Sequence, residues 1–112
     1  MFEITYTDEA RADLRAIGLY ILRRSGSRNI AANFVRKIRG VVEAIRPSPY
    51  MWPQTASNDS HELNYRKRPL GNYVIIYSVD DELHLITIAR IFHAARDYGK
   101  LLEEDEDHED KE

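Results

Sequence analysis

Arg90, His93 and Arg96 stand close together near the end of the chain, and a second basic cluster, Arg66-Lys67-Arg68, stands upstream of them. These are residue types that can cleave RNA without a metal. An imidazole can take the proton of a ribose 2′-OH, and guanidinium groups can hold the charge that develops on the phosphorus oxygens. If the chain is a nuclease, the catalytic candidates are Arg66, Arg90, His93 and Arg96. The spacing argues against such a set, because Arg90 and His93 differ by an odd number and an unbroken strand would point them to opposite faces. A lone histidine at a strand end is more simply a group hydrogen-bonded to backbone. Tyr65, Tyr73 and Tyr77 read as sheet core and cross-strand pairs rather than a stacking platform for bases. His61, His84 and His93 have no metal-ligand spacing, and there is no cysteine, no GxSxG, no HExxH and no Gly-rich phosphate loop. No cofactor is implied.

Other arginines suit binding. Arg23, Arg24 and Arg28 cluster where one helix gives way to the next, and Arg36, Lys37 and Arg39 follow on the second helix. With Arg66, Arg68 and Arg96 they form the set expected to meet an anionic partner, the plainer alternative being a solvated face. The overall net charge of −3 conceals a segregation. Residues 1–102 carry fifteen basic and eleven acidic residues, a net +4, whereas residues 103–112 (EEDEDHEDKE) carry eight acids and one lysine, a net −7. The body is therefore mildly basic and attracts anions. The tail buries nothing and is expected to stay solvated, since exposed ion pairs contribute only about 0–1 kcal/mol each.

At 112 residues, with 43% hydrophobic and 31% charged residues, the chain has the size and balance of one globular domain. The longest apolar runs, YVIIYSV and LHLITIA, are far short of the roughly 20 residues of a membrane span. No signal-peptide pattern is visible, so no membrane and a cytoplasmic location are expected.

The elements that must position these residues follow from periodicity. Residues 2–7 (FEITYT) alternate like a half-buried strand. Thr7 or Asp8 can cap a helix whose stripe is Ala10, Leu14, Ile17 and Ile21. Ser25-Gly26-Ser27 breaks it. A second helix carries Ala31, Phe34, Ile38, Val42 and Ile45 on one face and stops before Pro47. Residues 47–61 form a long loop whose Tyr50 and Trp52 are expected to fold back onto the core. Three strand-like runs follow over residues 62–68, 73–79 and 83–92, with a turn at residues 69–72 and a tight joint at Asp80-Asp81. The order is β-α-α-β-β-β, an α+β fold with a helical hairpin packed on a small, largely antiparallel sheet.

That order, with DEARADL opening the first helix, IAANFVRKIRGVVEAIRPSP across the second, LNYRKRPLGNYVIIYSVDDELHLITIARI and the closing IFHAARD, resembles the RelE/ParE superfamily of toxins from type II toxin–antitoxin systems. The resemblance covers residues 2–97, and the ending HAARD fits the ParE-like, plasmid-stabilisation branch best. It implies a toxin domain over residues 1–102, held inactive by a cognate antitoxin that is ParD-like or otherwise ends in an amphipathic acidic segment. Two modes of action are implied: ParE-like members inhibit DNA gyrase, and RelE-like members cleave mRNA on the ribosome. A toxin fold that has lost toxicity is a third possibility. In cleaving members an arginine directly follows the residue opening the central strand, but here Tyr73 is followed by Val74. Leu101-Leu102 stand where an aromatic acid–base residue is expected, and only Arg96 carries over. The gyrase reading is therefore favoured, with growth arrest as its consequence. The antitoxin segment is expected in an apolar groove between hairpin and sheet, behind an arginine-rich rim.

Overall fold

Thr7 shows how local chemistry sets the architecture. It ends the first strand, β1 (Glu3–Tyr6), and caps the first helix, α1 (Asp8–Ser25), by accepting the Ala10 amide on its Oγ1 at 3.0 Å. Asp8 and Glu9 in the first turn and Arg23 and Arg24 in the last complement the helix dipole. Gly26 then takes φ 69° and closes the helix through its amide to the Leu22 carbonyl, so the chain reverses within two residues. Ser27 caps α2 (Arg28–Ile45) through the Ile30 amide. In this computed structural model residues 1–55 and 64–95 are described.

The remaining elements are β2 (Tyr65–Leu70), β3 (Tyr73–Asp80) and β4 (Leu85–His93), in a four-stranded sheet of order β1-β4-β3-β2. β1 runs parallel to β4, and the other pairs are antiparallel. The fold is α+β, as the periodicity indicates. Two turns differ from the sequence reading. Pro69 and Leu70 belong to β2, pairing with Val74 and Tyr73, so the turn is only Gly71 and Asn72, with Gly71 at φ 58°. Proline is tolerated there on the outer strand. At the other end the joint spans residues 81–84, so β4 begins at Leu85 and not at Leu83, which is exposed. His84 is therefore a turn residue at φ 52°, stacked on Phe2 with ring centroids 5.4 Å apart.

Both faces of the central strands are buried. Ile75, Tyr77, Ile86, Ile88 and Ile91 meet Ala10, Leu14 and Ile17 of α1 and Ile38, Val42 and Ile45 of α2. On the opposite face Val74, Ile76, Phe92 and Tyr65 form a smaller apolar cluster. Such two-sided burial explains why residues 74–77 are apolar without alternation. Trp52 packs against the main core, whereas Tyr50 is about half exposed.

Candidate functional site

The basic residues of the sheet are committed to the fold. Arg90 and Asp13 of α1 form a bidentate pair, with Asp13 Oδ2 accepting from Nε at 2.8 Å and Oδ1 accepting from Nη2 at 3.1 Å. Both side chains are nearly buried, at 12% and 13% exposed. Asp13 Oδ2 also accepts the Ile91 amide at 2.9 Å. This carboxylate completes a sheet edge. β1 pairs with β4 only as far as Ile88, and beyond that point Thr7 donates its hydroxyl to the Ala89 carbonyl at 2.8 Å while Asp13 takes the next amide. Between Ile88 and Arg90 the β3–β4 register slips at Ala89, a bulge that turns the strand here. Sequence reasoning missed Asp13. A signal existed, because the acid stands three residues after Ala10 and four before Ile17, on the helix face that is otherwise apolar.

Arg66 and Arg68 hold the long loop against the outer strand. Arg66 donates from Nη1 to the Trp52 carbonyl at 2.7 Å and lies over the Tyr50 ring, while Arg68 lies 4.4 Å over the Trp52 ring. Backbone bonds from Thr55 to Tyr65 and from Lys67 to Pro53 extend this strip. His93, at the exposed end of β4, accepts the Ala95 amide on Nδ1 at 3.2 Å and meets Tyr73 edge-on. Register keeps these groups apart: Arg66 lies opposite Tyr77, Arg90 opposite Ile76 and His93 opposite Tyr73. Arg66 and Arg90 thus flank β3 from opposite sides and at positions of alternate facing, with two strand spacings of about 4.8 Å between them. Arg96 lies outside the described residues, as do His61, Tyr98, Leu101, Leu102 and the acidic tail. Among the described residues no group of three or more His, Cys, Asp or Glu could hold a metal, and no helix is long and apolar enough to cross a membrane.

The open feature is a groove of about 780 Å³ along the seam of the helical hairpin. Its floor is Leu14, Gly18, Leu22, Ala31, Ala32 and Val35, and Tyr6 of β1 closes one end. Arg11, Arg15, Arg36 and Arg39 line it as well. The groove lies between the two helices, with Tyr6 as the sheet's only contribution among the described residues, and so differs from a cleft between hairpin and sheet. Gly18 sets its depth: a Cβ there would meet Val35 Cγ2 at 3.4 Å. Leu19 is 51% exposed at the rim. Burial pushes the Tyr6 phenol up, against the opposing pull of Arg39, whose guanidinium lies 5.5 Å from the ring. Of the binding candidates, Arg36 and Arg39 line this groove, while Arg23, Arg24 and Arg28 stand at the hairpin tip.

Comparison with known proteins agrees with this fold. Residues 4–98 match the family model for the ParE toxin of the type II toxin–antitoxin system parDE. No curated protein matches the chain. Among solved structures it is similar to a chain of the chromosomal ParDE system of P. aeruginosa (TM-score 0.67, 21% identity, 83% of this chain and 96% of that one). It is also similar to the isolated RelE toxin of E. coli (TM-score 0.60, 14% identity, 93% and 98%). A chain of the intact E. coli RelBE toxin–antitoxin complex gives a TM-score of 0.58 at 15% identity, covering 86% and 100%. With the family model spanning nearly the whole described body, the chain belongs to the ParE toxin family of type II toxin–antitoxin systems.

Proposed function

We propose that this toxin acts by binding DNA gyrase and is neutralised by a cognate antitoxin whose acidic, amphipathic segment lies in the hairpin groove. The observation that carries the reading is the state of the basic residues. Arg90 is neutralised by Asp13, Arg66 is spent on the Trp52 carbonyl, and His93 accepts a backbone amide, so the described candidates for phosphodiester cleavage stand on separate parts of the sheet. A protein that inhibits by binding needs no such assembly, only surfaces that fit. The groove offers one: an apolar floor for Leu, Ile or aromatic anchors at helical spacing, beside four arginines for acidic side chains. Such segments are commonly disordered when free and fold on binding, which suits reversible neutralisation. The setting expected for these steps is the cytoplasm, where gyrase works.

Expression of the chain without its antitoxin tests this. Filamentation with a DNA-damage response, at intact mRNA, is the expected outcome. Rapid translation arrest with cleaved mRNA would establish ribosome-dependent cleavage instead. Growth without any arrest would mean that the fold has lost toxicity.

A further inference from the structure

Two glycines stand inside the helices, Gly18 in α1 and Gly40 in α2, where glycine is a weaker helix former than alanine. The packing of the hairpin does not require either of them. Among the described residues a Cβ at Gly40 would meet nothing within 4 Å beyond its own helix. One at Gly18 would touch only Val35 Cγ2, at 3.4 Å, an ordinary van der Waals contact. The fold has room for alanine at both positions. Place separates them: Gly18 lies on the groove floor, whereas Gly40 does not line the groove.

The missing side chain leaves a notch. Leu14 and Leu22 stand one turn to either side of Gly18 along α1, and Val35 stands opposite on α2 with Ala32 one turn before it. Arg15, one turn before Gly18, is exposed and makes no hydrogen bond or ion pair among the described residues. Arg36, next to Val35, holds only the exposed Asn33 side chain. No acid lines the groove among the described residues. An apolar hole thus lies between weakly engaged guanidiniums, which fits a large apolar side chain with acids close by. The groove runs along α1 from Arg11 to Leu22, a rise of about 16 Å at 1.5 Å per residue, which matches about three turns of a partner helix.

We propose that Gly18 determines which antitoxin this chain accepts. Its notch takes one large apolar side chain, Leu, Met or an aromatic, from the acidic helical segment, while Arg15 and Arg36 pair with acids flanking that anchor. This inference rests on the reading that the groove receives the antitoxin. A partner with a small residue at the anchor position leaves the notch unfilled, and a toxin with a side chain at position 18 excludes the large anchor, so discrimination runs both ways. Burying one side chain of that size changes affinity by about tenfold to a hundredfold.

Thermal melting of the full chain and calorimetric titration with its full-length cognate antitoxin test the notch. Without partner, Gly18→Ala and Gly40→Ala should each raise the melting temperature by about 2–8 °C. Gly40→Ala should bind antitoxin as the natural chain does. Gly18→Ala should bind at least about fivefold more weakly, and Gly18→Leu at least about thirtyfold. Large apolar residues of the antitoxin's acidic segment are then replaced by alanine one at a time. One of these changes should cost the natural chain at least about tenfold in affinity but cost Gly18→Leu less than about threefold. Undiminished binding by both Gly18 variants would overturn the proposal. So would a weakened Gly18→Ala that couples to no antitoxin residue, or one whose melting temperature falls. Arg36→Glu with Arg39→Glu separates the two ways of failing. If that variant binds weakly while the Gly18 variants bind normally, only the notch is wrong. If all of them bind normally, the antitoxin does not lie in the groove.

Discussion

The arginines of the sheet and those of the helical hairpin have opposite fates. On the sheet Arg90, Arg66 and Arg68 each have structural partners: a carboxylate, a backbone carbonyl or an aromatic face, and Arg46, at the C-cap of α2, pairs with Glu43 and the Phe2 carbonyl. On the hairpin Arg15, Arg23 and Arg28 make no hydrogen bond or ion pair among the described residues, and the others hold only local partners: Arg11 an exposed pair with Asp8 at 3.6 Å, Arg36 the exposed Asn33 side chain, and Arg24 and Arg39 the rings of Tyr20 and Tyr6. Residue type alone does not separate the groups. Position does, because a guanidinium beside a strand edge meets carbonyls and acids that the fold must satisfy, whereas one on the outer flank of a helix meets water. The first group stabilises the fold. The second we propose to recognise other molecules.

Breaking the Arg90–Asp13 pair should have the largest effect. Asp13→Ala removes the nearly buried bidentate partner of Arg90 and leaves the Ile91 amide without its acceptor, so urea denaturation should show a loss of about 3 kcal/mol. Replacing both residues, as Asp13→Leu with Arg90→Met, should recover much of that loss, which separates the cost of removing one partner from the worth of the pair.

Reversing the groove charges should do the converse. Arg36→Glu with Arg39→Glu should weaken antitoxin binding by about tenfold to a hundredfold, while stability changes by no more than about 0.5 kcal/mol. Calorimetric titration and melting of the same preparation check both halves. A large drop in melting temperature would blur the distinction between the two groups.

A smaller effect is expected at Tyr77, which is fully buried and donates its hydroxyl to the Pro49 carbonyl at 2.6 Å. Burial pushes its pKa up to about 12, with Arg66 and Arg68 opposing. The folded state thus favours the neutral phenol. This contribution to stability is fully present below the unfolded pKa of about 10 and is lost as pH rises toward 12. Tyr77→Phe should cost about 1 kcal/mol at neutral pH and flatten stability between pH 10 and 12. The smallest effect concerns His93→Ala, which should leave toxicity intact or lower it only together with stability. Loss of toxicity at an unchanged melting temperature would restore the catalytic reading of that imidazole.

Much of the fold was legible because its causes are local. The stripe Ala10, Leu14, Ile17 and its counterpart Ala31, Ile38, Val42, Ile45 are buried as their periodicity requires, and Thr7 and Ser27 cap as their hydroxyls allow. The turns were less legible. Pro69 resembles a turn residue, yet its missing N–H costs nothing on an outer strand position, and Leu83 continues an apolar run although the chain has not yet entered the strand. The tip arginines and the odd spacing of Arg90 and His93 were readable from position alone. The Asp13 pair and the anchoring of the loop by Arg66 join residues far apart in sequence. They arise from packing, which no local pattern encodes.

Purified gyrase tests the central claim, that this toxin inhibits by binding, most directly. Titrating the chain into a supercoiling reaction, with no ribosome or mRNA present, should abolish supercoiling in proportion to toxin added, and one equivalent of cognate antitoxin should restore it. Arg36→Glu with Arg39→Glu should resist that rescue. Undiminished supercoiling at excess toxin, together with mRNA cut on purified ribosomes, would contradict the account.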